Sequence, residues 1–402
     1  MLAERTRRVG ASPTLKVLLE ADRLRRQGVD VVDFGAGEPD FPTPEHVKAA
    51  GHAAIDANRT KYTANAGIPE LRGAICAQYK ADYGVDYSEV ECIVTAGGKQ
   101  ALYNAALALF GAGDEVITHA PGWPTIFEQI SLADATAVVV RAYPEDGFAL
   151  RAQPFIRAMT PNTRGIVINS PCNPTGALIS ETELAAIADE AARRGIWIVL
   201  DLCYEHLIYD AVPHNLPRVL VERMRDRTVI TGSSSKAYSM TGWRCGWALG
   251  PKDVIGACNA VQSHSTSNAC SISQYATLAA LQGPQDCVRE MLEEYRRRRD
   301  LVCDLLTADG RIRCVKPAGA FYLFPDISDL LSPDGIRTSA GFAEALLAEA
   351  HVALTAGEAF DAPGFLRISY ATSDERLREG AARIHRFVQA LDRGERSVVT
   401  SR

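Results

Sequence analysis

The 402-residue chain lacks a run of 18 apolar residues, a Cys-x-x-Cys pair, a His-x-x-x-His pair and a Gly-x-Gly-x-x-Gly turn after an early strand. The first absence argues against a membrane span. The second and third remove zinc and dithiol motifs, and the fourth removes the nicotinamide fingerprint. Ten cysteines, scattered from Cys76 to Cys314, are too thin for a disulfide scaffold. They read as small buried groups in a reducing compartment. Met1–Arg5 has no signal-peptide stretch, so the expectation is a cytoplasmic enzyme. Excess positive charge is also missing. The net charge is −6, and Arg296–Arg299, the one basic block, reads as a solvated helix face. Nucleic acid is excluded as a partner on these grounds. Gly (31) and Pro (20) are near ordinary usage, which excludes collagen-like and low-complexity chains. The length fits two or three domains.

Short apolar runs then alternate with amphipathic stretches. Strands are expected at Glu91–Thr95, Glu115–His119, Ala137–Val140, Gly165–Asn169, Ile196–Asp201, Thr228–Thr231 and Cys245–Leu249. Helices are expected over Pro13–Gln27, from Pro44 with Thr43 as N-cap, from Pro69, over Lys99–Phe110, and from Ser180 with Glu183 completing a capping box. The pattern predicts an α/β fold with a mostly parallel, doubly covered sheet. After about Gln282 it changes to a long charged helix, Val288 to Leu306, and a mixed tail with strands near Gly319–Phe324 and Phe365–Tyr370. The expected division is an N-terminal arm (1–44) packing with the tail, a large domain (45–287) and a smaller α+β domain (288–402).

Ligands of open α/β sheets sit beyond the carboxyl ends of the strands. Four loops leave such ends. Gly97-Gly98-Lys99 precedes a helix and is either a plain turn or a phosphate cradle. Asn173-Pro174-Thr175-Gly176 is either a rigid connection or a site loop. Asp201 ends an apolar strand, with Tyr204 beyond it, and a buried carboxylate there needs a partner. Lys236 follows Ser233-Ser234-Ser235, and Arg244 lies eight residues on. Together these meet the needs of pyridoxal phosphate: a lysine for a covalent imine, a carboxylate for the ring nitrogen, and a cup for the phosphate.

On these residues, and on Gly35-Ala36-Gly37-Glu38-Pro39-Asp40-Phe41, Lys61-Tyr62, Thr241-Gly242-Trp243-Arg244 and Arg367-Ile368-Ser369-Tyr370-Ala371, the chain resembles a class I aminotransferase of fold type I. It is most similar to the bacterial aspartate aminotransferase branch that includes prephenate-accepting enzymes. The resemblance runs from about Thr6 to about Val388 and implies a seven-stranded large domain. It implies that Lys236 carries the cofactor and moves the substrate proton, that Asp201 pairs with the ring nitrogen, and that Tyr204 and Asn173 bond the phenolic oxygen. Trp123 is implied to stack on the ring. Gly98, Lys99, Ser233, Ser235 and Arg244 are implied to hold the phosphate, with Tyr62 reaching it from the neighbouring subunit of a homodimer. Arg367, with Asn173 and the Gly37 backbone, is implied to bind the α-carboxylate, a task suited to a guanidinium fork.

The same resemblance implies a ping-pong exchange of an amino group between aspartate or glutamate and a 2-oxo acid, with Lys99 reaching the distal carboxylate. Ser12 and Thr14 match the family's N-terminal segment, but Gly10 stands where relatives carry Lys. Gly122 stands where they carry Tyr, and is expected to open space beside the ring. Trp243, Trp247 and Leu202 are expected to pack, His119 and His206 to satisfy local hydrogen bonds, and Arg141 and Arg164 to be solvated. The alternatives are an aromatic, neutral or prephenate aminotransferase, a lyase or synthase on the same fold, and a ligand-sensing module.

Overall fold

The computed structural model describes Ala3 and residues 5–10, 13–333 and 335–393. Seven strands form its central sheet: Cys92–Thr95 (β1), Glu115–Ala120 (β2), Thr136–Arg141 (β3), Thr163–Asn169 (β4), Trp197–Asp201 (β5), Thr228–Ser233 (β6) and Gly246–Leu249 (β7). Their order is β1-β7-β6-β5-β4-β2-β3. β7 runs antiparallel to both neighbours and the other pairings are parallel.

The side-chain alternation of a strand explains why apolar runs were needed. Ile198 and Leu200 point into one buried cluster with Ile166, Ile168 and Ile230, while Trp197 and Val199 point into another with Val116, Val167 and Val229. Helices cover both faces. One, Glu181–Arg194, buries Leu184, Ile187, Ala188 and Ala191, and stops at Gly195 in the left-handed region. Its cap is half of the expected box. Ser180 accepts the Glu183 N–H, but the Glu183 carboxylate accepts Ala152 N at 2.6 Å instead of turning back.

Thr43 is not the N-cap of its helix. Pro44 holds that position before Glu45–Asp56, with no side-chain cap. The Thr43 hydroxyl instead donates to the Ser239 carbonyl at 2.7 Å and accepts Trp243 Nε1 at 3.0 Å. A tertiary tie to the loop after Lys236 outcompetes the local cap.

A second core gathers Val32 and Phe34 with residues of the long helix Asp286–Thr307, of Ala320–Leu323 and of the C-terminal helix Asp374–Asp392. A small sheet lies there, Thr355–Ala356 and Tyr322–Leu323 flanking Leu366–Ser369, all antiparallel. The N-terminal segment meets this core, since Val32–Asp33 pairs with Val352–Ala353. The basic block Arg296–Arg299 is a correction. Arg296 and Arg297 meet surface acids, but Arg298 and Arg299 are buried, bonded to Asp40 and Asp210. Four successive residues exceed one helical turn, so they cannot all face water on a helix packed on one side. No helix among the described residues is long and apolar enough to cross a membrane.

Candidate active site

The strand register places Asn169 beside Asp201 and Asp201 beside Thr231 at the carboxyl ends of β4, β5 and β6. Asp201 is 3% exposed. Its oxygens accept Asn169 Nδ2 and Cys203 N, each at 3.1 Å, and neither donor is a cation. Burial pushes its carboxyl up to about 7, with these bonds opposing.

Asn169 organises this floor. Its amide oxygen accepts Asn173 N at 2.8 Å, while its backbone N–H donates to His119 Nε2 at 3.3 Å. His119 Nδ1 lies 3.1 Å from the Pro121 carbonyl. One nitrogen accepts and the other faces a carbonyl, so the buried ring is neutral, and burial depresses its pKa to about 4. The expectation that His119 satisfies local hydrogen bonds therefore holds, with the addition that it steadies Asn169.

Lys236 follows β6, and its Nζ donates to the Gly37 carbonyl. Burial is the main force lowering its pKa, and Arg367 and Arg244 push the same way. The amine lies 5.8 Å from the Tyr204 ring centroid. Tyr204 shares a 2.8 Å hydrogen bond with Tyr322, and the Arg367 guanidinium stacks 4.5 Å from the Tyr322 ring. Arg367 donates to Asn173 Oδ1 at 3.2 Å and to the Gly35 carbonyl at 2.7 Å. Its Nε is buried without a hydrogen-bond partner. A cation so placed lacks an anion, and a carboxylate is the natural complement.

A second anion cup lies at the start of the helix Gly98–Leu109. That helix begins at Gly97 with no side-chain cap, leaving its first N–H groups to a ligand. Gly97 has φ +89°, and a Cβ there would come within 2.5 Å of Arg244 Nη2. Glycine is thus required for the guanidinium to approach the helix start. Arg244, itself at φ 54°, is steered by the Thr241 carbonyl at 2.6 Å. Ser233 and Ser235 are buried beside it, whereas Ser234 turns away to the Cys245 carbonyl.

The mouth of the cleft is looser. Lys99 Nζ lies 5.0 Å from the Trp123 ring centroid. Desolvation first, and Arg244 second, lower its pKa. Beside it is a cleft of about 380 Å³ lined by Val9, Gly10, Lys99, Gln100, Tyr103 and Glu128, among others. Ser12 lies outside the described residues. Gly122 does not open space, which corrects the expectation. A Cβ there would stand 2.2 Å from the His119 carbonyl. The backbone folds back on itself at that point and fills the room a side chain would need.

Direct contacts therefore join Lys236 to Gly37 and Tyr204, Arg367 to Asn173, and Asp201 to Asn169, and set Ser233 against Gly98, Arg244 against Gly97 and Lys99 against Trp123, while Ser235 is buried next to Lys236 in the chain. Tyr62 stands apart, 91% exposed on the protomer surface. Trp247 packs in the core and Leu202 is buried, as expected. Arg164 and Arg141 are both exposed, as expected, and Arg141 pairs with Asp361 at the surface at 2.8 Å. Sequence reasoning missed Asn169, Tyr322 and the Gly35 carbonyl. The one available signal was Asn169, a polar residue ending an apolar strand next to the Asp201 strand. No cluster of three or more metal-ligating side chains occurs among the described residues.

Comparison with known proteins places this cleft in context. Residues 29–384 match the family described as aminotransferase class I and II. The aspartate/prephenate aminotransferase of Cereibacter sphaeroides is 46% identical, covering 97% of this chain and 99% of that one. The aspartate aminotransferase of Geobacillus stearothermophilus is 42% identical over the same shares. The solved structure of Thermus thermophilus aspartate aminotransferase with maleate superposes with a TM-score of 0.91 at 43% identity, covering 96% of this chain and 99% of that one.

Proposed function

The chain belongs to the class I and II aminotransferase family, and from that premise we propose that it binds pyridoxal phosphate and exchanges an amino group between aspartate or glutamate and a 2-oxo acid. The carrying observation is that Lys236, the buried Asp201 carboxyl that accepts only an amide and a backbone N–H, and Arg367 with its unpartnered Nε gather at the same end of the sheet.

The residues fit the cofactor chemically. Asp201 lacks the cation that a protonated ring nitrogen would supply. Gly98, Ser233, Ser235 and Arg244 form a cup for its phosphate, and Trp123 offers a flat face for its ring. Asn173 spends its amide oxygen on Arg367, which frees its NH₂ group to donate to the phenolic oxygen, with Tyr204 as a second donor. When bound, pyridoxal phosphate supplies a carbon that bonds reversibly to amines and a ring that takes up electron density from the substrate Cα.

The protein's own residues do the rest. Arg367 fixes the α-carboxylate through its unpartnered Nε side, which orients the Cα–H bond. Lys236, held by Gly37 and with its proton affinity lowered by burial, presents Nζ as the base that takes the Cα proton. With the cofactor bound, Asp201 would pair with its ring nitrogen and favour the protonated form of that nitrogen. Lys99 at the mouth meets the distal carboxylate. Support for an acidic substrate comes from relatives named for aspartate and from the Thermus structure with maleate, a dicarboxylate. The exposed Tyr62 fits a homodimer in which it reaches the partner's phosphate cup.

Borohydride treatment of the cofactor-loaded protein, followed by peptide mapping, tests the assignment. The cofactor should be trapped on the peptide carrying Lys236. Label on another lysine would overturn the reading.

A further inference from the structure

Tyr322 spans two groups of the site, Arg367 through its ring and Tyr204 through its hydroxyl. It lies on the short strand Tyr322–Leu323 and is 1% exposed. The antiparallel register sets it opposite Ser369. Arg367, two residues before Ser369, therefore shares its face of the small sheet. The Arg367 guanidinium accordingly lies 4.5 Å from the Tyr322 ring centroid, and 5.2 Å from that of Phe360. At the far end of the ring, the Tyr322 hydroxyl meets that of Tyr204 at 2.8 Å.

The direction of that hydroxyl bond follows from counting protons. Burial is the main force raising the pKa of both phenols, so each is neutral and carries one proton. Only one of them can donate in the bond they share. Among the described residues neither hydroxyl has another hydrogen-bond partner. Arg367, which faces Tyr322, has donors only and cannot take its proton. The Glu38 carboxylate accepts Thr241 Oγ1 at 2.8 Å and bonds neither tyrosine. The Cys203 thiol also acts on the pair. Tyr204 is the member that faces the Lys236 amine, 5.8 Å from its ring centroid.

We propose that Tyr322 is a positioning residue that donates its proton to Tyr204 Oη and so leaves the Tyr204 proton aimed into the site. The inference rests on the proposed binding of pyridoxal phosphate. Tyr204 must then spend its single proton on the phenolic oxygen, and its bond to Tyr322 survives only with Tyr322 as donor. A hydroxyl that accepts one hydrogen bond donates a stronger one. Tyr322 thus strengthens the Tyr204 contact while its ring supports the Arg367 fork. One side chain serves both the phenolic oxygen and the α-carboxylate.

A donor on the phenolic oxygen withdraws negative charge that would keep a proton on the lysine-bound nitrogen, so it lowers the pH at which that proton leaves. The test is a pH titration of the absorption band of the lysine-bound cofactor in the full-length, loaded protein. In Tyr322→Phe, which keeps the ring, the midpoint should rise by about half a pH unit, the worth of part of a hydrogen bond. Added to Tyr204→Phe, the same substitution should move the midpoint no further than Tyr204→Phe does alone, because its route runs through Tyr204. Tyr322→Leu, which removes the ring as well, should raise KM about three- to tenfold over Tyr322→Phe, for acidic and neutral amino acids alike.

An unmoved midpoint in loaded Tyr322→Phe would overturn the proposal. So would an equal rise in both backgrounds, the mark of a general packing effect. Equal KM values for Tyr322→Phe and Tyr322→Leu would overturn the part assigned to the ring. A parent protein without any lysine-bound band would instead overturn the proposed function, and this inference with it.

Discussion

At the floor of the site Arg367 is 2% exposed and grips Asn173 and Gly35, whereas at its mouth Lys99 is exposed over Trp123. The floor is tied across strands by Asn169, His119 and the Tyr204–Tyr322 pair. Groups preset in this way can act alike on any amino acid, because they meet only the atoms all amino acids share. In the proposed function the mouth would meet the side chain, so its looser residues are the ones expected to govern selectivity. Generic chemistry is therefore built into rigid strand ends, and specificity into the rim.

The largest effect should come from Lys236. Lys236→Ala should lower turnover by about four orders of magnitude, the scale of losing a positioned base. It should leave the fold intact by circular dichroism. Near-normal turnover would remove the centre of the floor. Arg367→Ala comes next. Losing a buried cation that pairs with a carboxylate costs about 2–5 kcal/mol, so kcat/KM should fall by about two to three orders for acidic and neutral amino acids alike. A loss confined to one class would erase the distinction between floor and rim.

His119 tests the floor through stability. Its imidazole is held neutral with a pKa near 4, against 6.5 when exposed. The unfolded chain takes up that proton first, so its contribution is full above about pH 6.5 and is lost as pH falls toward 4. The shift corresponds to about 3 kcal/mol. His214, also depressed to about 4 by burial, acts in the same direction, while the raised Asp201 acts oppositely in cofactor-free protein. The difference in urea midpoint between His119→Gln and the parent, followed from pH 7 to 4.5, isolates the imidazole. It should shrink as pH falls, and a constant difference would count against the neutral, buried ring. The smallest effect belongs to the rim. Lys99→Ala should weaken aspartate and glutamate by about tenfold, the worth of an exposed charge-assisted contact, and spare neutral amino acids. Equal losses across both classes would move Lys99 to the floor.

The seven strands of the sheet were legible because each is a short apolar run bounded by turn residues, and all but the edge strand β3 are largely buried. The side chains proposed to face the cofactor could be named from the sequence because their motifs are local: Lys236 after three serines, Asp201 at a strand end. What was not legible depends on distant segments meeting. Tyr322 sits in a run that reads only as strand, and it joins the site through Tyr204, 118 residues away. Thr43 looked like a cap until Ser239 and Trp243 claimed its hydroxyl. Gly122 looked like missing bulk, yet the His119 carbonyl occupies that space. Arg298 and Arg299 read as solvated because a run of like charges does not reveal which of its members fall on the packed side of the helix.

The most direct test of this division of labour is the absorption spectrum of the cofactor-loaded protein during addition of L-aspartate, with no oxo acid present. The account predicts that the band of the lysine-bound cofactor gives way to that of pyridoxamine phosphate. A band unchanged at saturating aspartate would contradict it.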